Sequence, residues 1–393
     1  MSQKRSSMLP LKPSSMLPLK RSSMLPPRRS SMLPQRRTSM LPLALASAAA
    51  LSTGCSMQQL DNGEHTQSES SAMVSTTIVT AATTAVAPGA SFTFVNAAST
   101  ATGPNPNSDA AYLALGDSLA FGFDPTLMPS GGSLVNPVPS SFVGYPEEAE
   151  AFARHLSEAN VSCAGETSTS FTKSLAEVQA SPVPLDRGCA KMKAAGVMHV
   201  AYAESQLDRA VTSLTTVKKT NLVTLSIGAD DVAALGDSCA AQAAAAVQAG
   251  TLPRKGATAA AQACVMNGLP STFATLKTNI STILSAVRGT GYKNDIVVVT
   301  YPSLNYNQPA ASDIMKLTND AILAAAAPFG VKVVSGYDTF KLASGAAGDP
   351  CAAGLLIRLP TAAGAPISCD VNPSSSGRAL LGAAVYAVSG GKL

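Results

Sequence analysis

Residues 112–119, Tyr-Leu-Ala-Leu-Gly-Asp-Ser-Leu, leave this chain few folds to choose from. An apolar run ending in Gly-Asp-Ser-Leu reads as a buried strand that runs straight into a tight turn. The turn lifts one hydroxyl, that of Ser118, out at the strand's carboxyl end, the edge at which open parallel sheets bind and react. From residue 108 onward similar runs recur at 160–164, 222–227, 295–300 and 331–334. Helical patterns lie between them at 145–159, 205–216, 270–288 and 312–326, and a closing helix is expected at 374–388. Short runs of Val, Ile and Leu between amphipathic helices imply an α/β domain, a parallel sheet with helices on both faces.

Composition permits that core and narrows the partners. Of 393 residues, 46% are apolar and only 13% charged, enough for one large domain or two ordinary ones. No uninterrupted apolar run reaches the roughly 18 residues of a strong membrane span. The net charge of +4 is unevenly spread. The first 55 residues carry nine Lys or Arg and no acid, leaving nineteen basic against twenty-four acidic side chains, a net of −5, in the remainder. A mildly acidic body argues against nucleic acid as a partner.

The N-terminal part divides into three. Residues 1–39 are an eight-residue repeat, with Ser-Ser-Met-Leu-Pro starting at Ser6, Ser14, Ser22 and Ser30 and a variant at Thr38. A proline in every unit prevents a helix across units. The segment reads as a disordered basic arm, or as sequence upstream of a true start at Met40. Residues 40–55 join an apolar stretch, 41–51, to Ser52-Thr53-Gly54-Cys55, which together with the basic region before them make a secretory signal. The cysteine after small residues resembles a bacterial lipobox, in which a lipidated Cys55 would anchor the chain to a membrane; ordinary signal cleavage is the alternative. Residues 56–107, rich in Ser, Thr and Ala, read as a flexible tether. The expectation is therefore an exported protein, either a cell-envelope lipoprotein or secreted, with its folded domain at 108–393.

Six further cysteines remain: Cys163, Cys189, Cys239, Cys264, Cys351 and Cys369. Six allow fifteen pairings. Sequential pairing is the simplest and would staple three loops, and export favours it; buried free thiols are the alternative. No close Cys/His cluster appears, so neither a structural metal nor any other cofactor is expected.

Several ordered blocks carry a resemblance. They are Gly116-Asp117-Ser118-Leu119, Cys163-Ala164-Gly165-Glu166-Thr167, the stretch Tyr202-Ala203-Glu204-Ser205-Gln206-Leu207-Asp208, Ile227-Gly228-Ala229-Asp230-Asp231, and Asp370-Val371-Asn372-Pro373-Ser374-Ser375-Ser376-Gly377. From about residue 110 to its end the chain resembles the GDSL or SGNH ester hydrolases, in their bacterial secreted branch. That resemblance implies a three-layer α/β/α sandwich with a parallel, flavodoxin-like sheet of about five strands. It also implies hydrolysis of acyl or acetyl esters, so a small-molecule ester, a lipid or an acylated glycan as ligand. Such chemistry needs a serine to attack the carbonyl, a base to take its proton, a group to orient that base, and donors for the oxyanion. Ser118 matches the nucleophile, and the N–H groups of Ser118 and Gly165 match two oxyanion donors. Asp370 matches the orienting acid.

Two positions depart. The family's third oxyanion donor is an Asn side chain; here the position is Asp230, and an ionised carboxylate accepts but does not donate. The family's base is a His before Pro; here it is Asn372, and an amide has no useful basicity. Of the three histidines, His65 falls in the tether, His155 on the 145–159 helix and His199 in the loop before Tyr202; His199 is the candidate substitute base, and Asp370 acting through water is a weaker one. A plainer reading assigns Asp117 and Asp231 to helix capping and Gly165 to a turn. Three classes of function therefore stand: an exported and weakened ester hydrolase, a non-catalytic descendant binding lipid or glycan ligands at the cell surface, and a purely structural surface protein. We read the chain as a monomer.

Overall fold

The computed structural model describes residues 111–128, 138–153, 158–217, 219–359 and 368–391. The arm, signal and tether expected over 1–107, with Cys55 and His65, lie outside the described residues, as does His155.

The elements in chain order are β1 (Tyr112–Gly116), α1 (Ser118–Phe121), α2 (Tyr145–Ala153), β2 (Glu158–Asn160), α3 (Leu175–Ala180), α4 (Cys189–Ala194) and α5 (Gln206–Thr216). Then follow β3 (Leu222–Ser226), α6 (Ala229–Gln248), α7 (Ala257–Gly289), β4 (Asp295–Val299), α8 (Pro309–Ala326), β5 (Lys332–Val334) and α9 (Gly336–Ala343). The last three are β6 (Leu356–Leu359), β7 (Ser368–Pro373) and α10 (Ser375–Val388).

Five strands form one parallel sheet in the order β2-β1-β3-β4-β5. All five residues of β1 and all five of β3 are buried, because both faces of a parallel sheet are covered by helices. Helices α2 and α10 pack together on one side of it, and α5, α6, α7 and α8 group on the other. The result is the three-layer α/β/α sandwich with a flavodoxin-like sheet. The chain reverses its direction of strand addition between β1 and β3, and ligand crevices of open α/β sheets form at such a switch. Gly116 pairs with Ser226 there, so the loops leaving β1 and β3 emerge side by side.

Several expected boundaries move. The expected 145–159 helix is described only to Ala153, and Glu158 and Ala159 belong to β2, where Ala159 pairs with Leu113. The expected 160–164 strand shares only Asn160 with β2. The apolar Val161–Ala164 run that suggested a strand is buried as an irregular crossing instead, while the polar-looking Glu-Ala-Asn triplet takes the edge of the sheet. The expected 270–288 helix is the second half of α7, which carries Pro270 inside it. Its buried residues Leu269, Leu276, Ile280, Ile283, Leu284 and Val287 recur at helical spacing. Helix α6 escaped the pattern reading altogether. It is alanine-rich and buries only Asp230, Cys239 and Ala243, so propensity rather than an apolar stripe builds it. The β6–β7 antiparallel hairpin was not anticipated either.

All three disulfides join neighbours in sequence, Cys163–Cys189, Cys239–Cys264 and Cys351–Cys369. The second ties α6 to α7, and the third ties β7 to the turn before β6. Among the described residues no helix is long and apolar enough to cross a membrane.

Candidate active site

Strand β1 delivers Ser118 through a turn that only glycine can make. Gly116 has φ +143°, and a Cβ there would sit 2.2 Å from the Ser226 carbonyl oxygen on β3. The next residue, Asp117, donates its N–H to that same carbonyl at 2.9 Å. Its carboxylate caps α1 by accepting the Leu119 N–H at 3.1 Å, and it accepts the Tyr301 hydroxyl on its other oxygen. Gln206, the first residue of α5, holds the end of β1 from below. Its Oε1 accepts the Gly116 N–H at 2.6 Å, and its Nε2 donates to the Gly116 carbonyl at 3.0 Å and to Glu166 Oε2 at 3.2 Å. Ser118 is thereby the first residue of α1, half-buried, with an N–H that no intrahelical acceptor can use.

A second segment crosses the Ser118 hydroxyl. The Gly165 N–H donates to Ser118 Oγ at 3.0 Å. Gly165 has φ +81°, and a Cβ would lie 2.7 Å from the Gly188 nitrogen, because the chain at Arg187–Gly188 runs directly against it. The Arg187 N–H donates to the Gly165 carbonyl at 2.8 Å, and the Cys163–Cys189 disulfide closes the pair of segments at a Cα separation of 5.4 Å.

The third contribution comes from the first turn of α6. Ser118 Oγ donates to Asp230 Oδ2 at 3.5 Å, the long end of a hydrogen bond. Asp230 Oδ1 accepts from Arg187 Nη1 at 2.8 Å, and Arg187 Nε in turn reaches Asp237 Oδ2 at 2.8 Å. Burial raises the Asp230 carboxyl above the ordinary aspartate range, and the Arg187 guanidinium opposes that shift. Asp117 is raised well above its usual value by burial and then by the charge of Asp230. Asp231 points elsewhere. It accepts the Ser168 N–H at 2.8 Å and the Ser168 hydroxyl at 2.6 Å, and burial pushes it up to about 6.

Ser118, Gly165 and Asp230 thus converge at the switch point. Asp370 and Asn372 form a pair of their own on β7, a strand that packs against α1. Asn372 donates to Asp370 Oδ1 from its backbone N–H at 2.9 Å and from Nδ2 at 2.6 Å. Among the described residues no hydrogen bond joins Ser118 to Asn372 or to any histidine. His199 Nε2 lies 3.0 Å from the Phe121 carbonyl oxygen and 3.7 Å from Glu147 Oε1, with its ring 4.8 Å from that of Phe121. It braces the far end of α1 and does not reach the hydroxyl as a substitute base.

Arg187 is the site residue that pattern reading missed. No motif marks it, and its only signal is its place two residues before a cysteine that pairs with Cys163. Among the described residues the one group of potential metal donors is Cys163, Glu166 and Cys189. The two sulfurs are bonded to each other, which leaves a single carboxylate and no credible metal ligand set.

No protein-family model matches the chain, and no curated protein matches it significantly. Solved structures do. A phospholipase A1 from Streptomyces albidoflavus is 18% identical at a TM-score of 0.41, over 72% of this chain and all (100%) of that one. An extracellular lipase from Streptomyces rimosus is 17% identical at 0.39, over 71% and 99%. A member of the lipolytic G-D-S-L family from Veillonella parvula is 13% identical at 0.35, over 70% and 96%.

Proposed function

We propose that this protein is an exported serine ester hydrolase of the GDSL or SGNH type, acting on acyl or acetyl esters of a small molecule, lipid or glycan. The observation that carries the reading is the placement of Ser118. Its hydroxyl stands at the switch point of a parallel sheet, 3.0 Å from the Gly165 N–H. In this reading Ser118 Oγ attacks the ester carbonyl, and the N–H groups of Gly165 and Ser118 receive the oxyanion. Two donors stand where the resemblance calls for three, and loss of one such donor costs about 3 kcal/mol of transition-state stabilisation. The activity is accordingly weak.

The second reading is an inactive SGNH-fold protein that binds lipid or glycan ligands at the cell surface, and Asn372 favours it. Hydrolysis of p-nitrophenyl acetate and butyrate by the protein, beside Ser118→Ala, separates the two. The expected result is slow turnover that vanishes in Ser118→Ala. Equal rates in both would leave Ser118 a relic and return the search to what the cleft binds. Export, the domain limits of 108–393, anchoring through Cys55 and a monomeric state belong to the same proposal; the sequence of residues 1–107 supports the first three, and the three disulfides support export.

A further inference from the structure

The serine has lost its imidazole but not every neighbour able to take a proton. We propose that Asp230 is the general base for Ser118, with Arg187 as the residue that positions it. This rests on the reading of Ser118 as a nucleophile and adds what that reading lacks.

Geometry comes first. Among the described residues, Asp230 is the only carboxylate hydrogen-bonded to Ser118 Oγ. It is 6% exposed and held on its other oxygen by Arg187 Nη1 at 2.8 Å. The alternatives are engaged elsewhere: His199 at the Phe121 carbonyl, Asp370 with Asn372, and Asp117 with the Leu119 N–H and the Tyr301 hydroxyl. A distance of 3.5 Å is long, but catalytic hydrogen bonds in unliganded sites commonly are, and they shorten when substrate is bound.

Electrostatics supports the assignment. A carboxylate in water is a poor base for a serine hydroxyl, and burial makes this one stronger. The titratable groups around Asp230 are Arg187 before α4, Asp117 in the β1–α1 turn, and Asp231 and Asp237 on α6, with the Tyr301 hydroxyl after β4. The charge of Asp237 opposes its ionisation and the Arg187 guanidinium favours it. Charge also balances through the reaction. As the Oγ–C bond forms, the hydroxyl proton passes to Asp230 Oδ2 and the carbonyl π electrons become the oxyanion. The aspartate is neutral when the oxyanion exists, so the repulsion expected of a fixed carboxylate at this position does not arise, and Arg187 remains as the nearby cation. The C–O bond to the alcohol then breaks while Asp230 returns the proton to the leaving oxygen. Deacylation repeats these transfers with water as nucleophile and restores the proton to Ser118.

The test is the rate at which a fluorophosphonate labels Ser118, measured against pH in the wild type, Asp230→Asn and Arg187→Gln, with labelling located by peptide mass and folding checked by circular dichroism. A general base contributes about 10²–10⁴-fold, so Asp230→Asn is expected to label at least about 100-fold more slowly. Arg187→Gln removes the cation that lowers the Asp230 pKa, so its labelling rate is expected to rise at a higher pH than in the wild type. Asp230→Asn labelling as fast as the wild type or faster would overturn the proposal and leave the nucleophile intact. No labelling of wild-type Ser118 at any pH would overturn both. If Asp230→Asn fails to fold, the Arg187→Gln profile decides, and an unshifted profile overturns the assignment.

Discussion

At position 372 an amide stands where the resemblance calls for an imidazole, and its surroundings still suit the missing group. Asn372 Nδ2 donates to Asp370 Oδ1 at 2.6 Å, the bond that a histidine Nδ1–H would make. The strand bearing it lies against α1, which begins with Ser118. On the proposed reading of Ser118, converting Asn372→His together with Asp230→Asn would supply an oriented base and a third oxyanion donor at once. The double variant is expected to hydrolyse p-nitrophenyl butyrate about 10²-fold or more faster than the wild type, while Asp230→Asn alone falls below it. No gain in the double variant would mean that the cleft has moved beyond these two positions. A smaller change probes the turn. Gly116→Ala would put a methyl group 2.2 Å from the Ser226 carbonyl oxygen at a φ of +143°. It is expected to lower both stability and Ser118 labelling, read by urea unfolding and probe incorporation.

Between elements, two devices hold the site. The side-chain amide of Gln206 bonds both backbone groups of Gly116, the last residue of β1, and reaches Glu166, so α5 fixes where β1 stops. Gln206→Ala would leave the buried Gly116 N–H without its acceptor, while the Gly116 carbonyl keeps the Cys163 N–H, at a cost of about 1–3 kcal/mol; urea unfolding is the check. The Cys163–Cys189 disulfide is the second. It closes a separation of 26 residues and brings Gly165 against Arg187. Cys163→Ala with Cys189→Ala is expected to cost about 3 kcal/mol of stability and to slow Ser118 labelling. Loss of stability with unchanged labelling would mean that hydrogen bonding alone holds Gly165 in place.

The molecule as a whole buries acids in its core. Burial pushes Glu166 up from 4.5 to about 7 and Asp231 from 3.8 to about 6, and it raises Asp117 and Glu158 as well. In each case the folded state keeps a proton that the unfolded chain has already released. Stability is then greatest at and below the unfolded pKa values, near 4, and declines as pH rises through about 7. The urea midpoint is expected to be higher at pH 5.5 than at pH 8, and Glu166→Gln is expected to narrow that difference. A midpoint that rises with pH would show that these carboxyls are paired more strongly than their burial implies. The staples at Cys239–Cys264 and Cys351–Cys369 secure the α6–α7 helical hairpin and the β6–β7 hairpin. Helix α6 and strand β7 contribute little to the central core, of which the described part centres on β1, β3, β4 and the inner face of α7.

Local chemistry made much of this protein legible. The four-residue apolar run 112–115 before Gly-Asp-Ser marked a buried strand and a turn, and the Val, Ile and Leu runs after it marked β3, β4 and β5 within a residue or two. The sequential order of the cysteines also carried through to the fold. Where the apolar pattern was absent, the reading failed: β2 is an edge triplet with a buried glutamate, and α6 is alanine with hardly any buried face. Which charges meet was not readable at all. Arg187 and Asp230 are far apart in the chain and come within 2.8 Å only because a disulfide and the β1–β3 crossing bring their loops to one edge. Residue types set which groups could react, since that is a property of each side chain. Proximity and burial set which of them meet at Ser118, and those exist only once β1 and β3 have paired and their loops lie side by side.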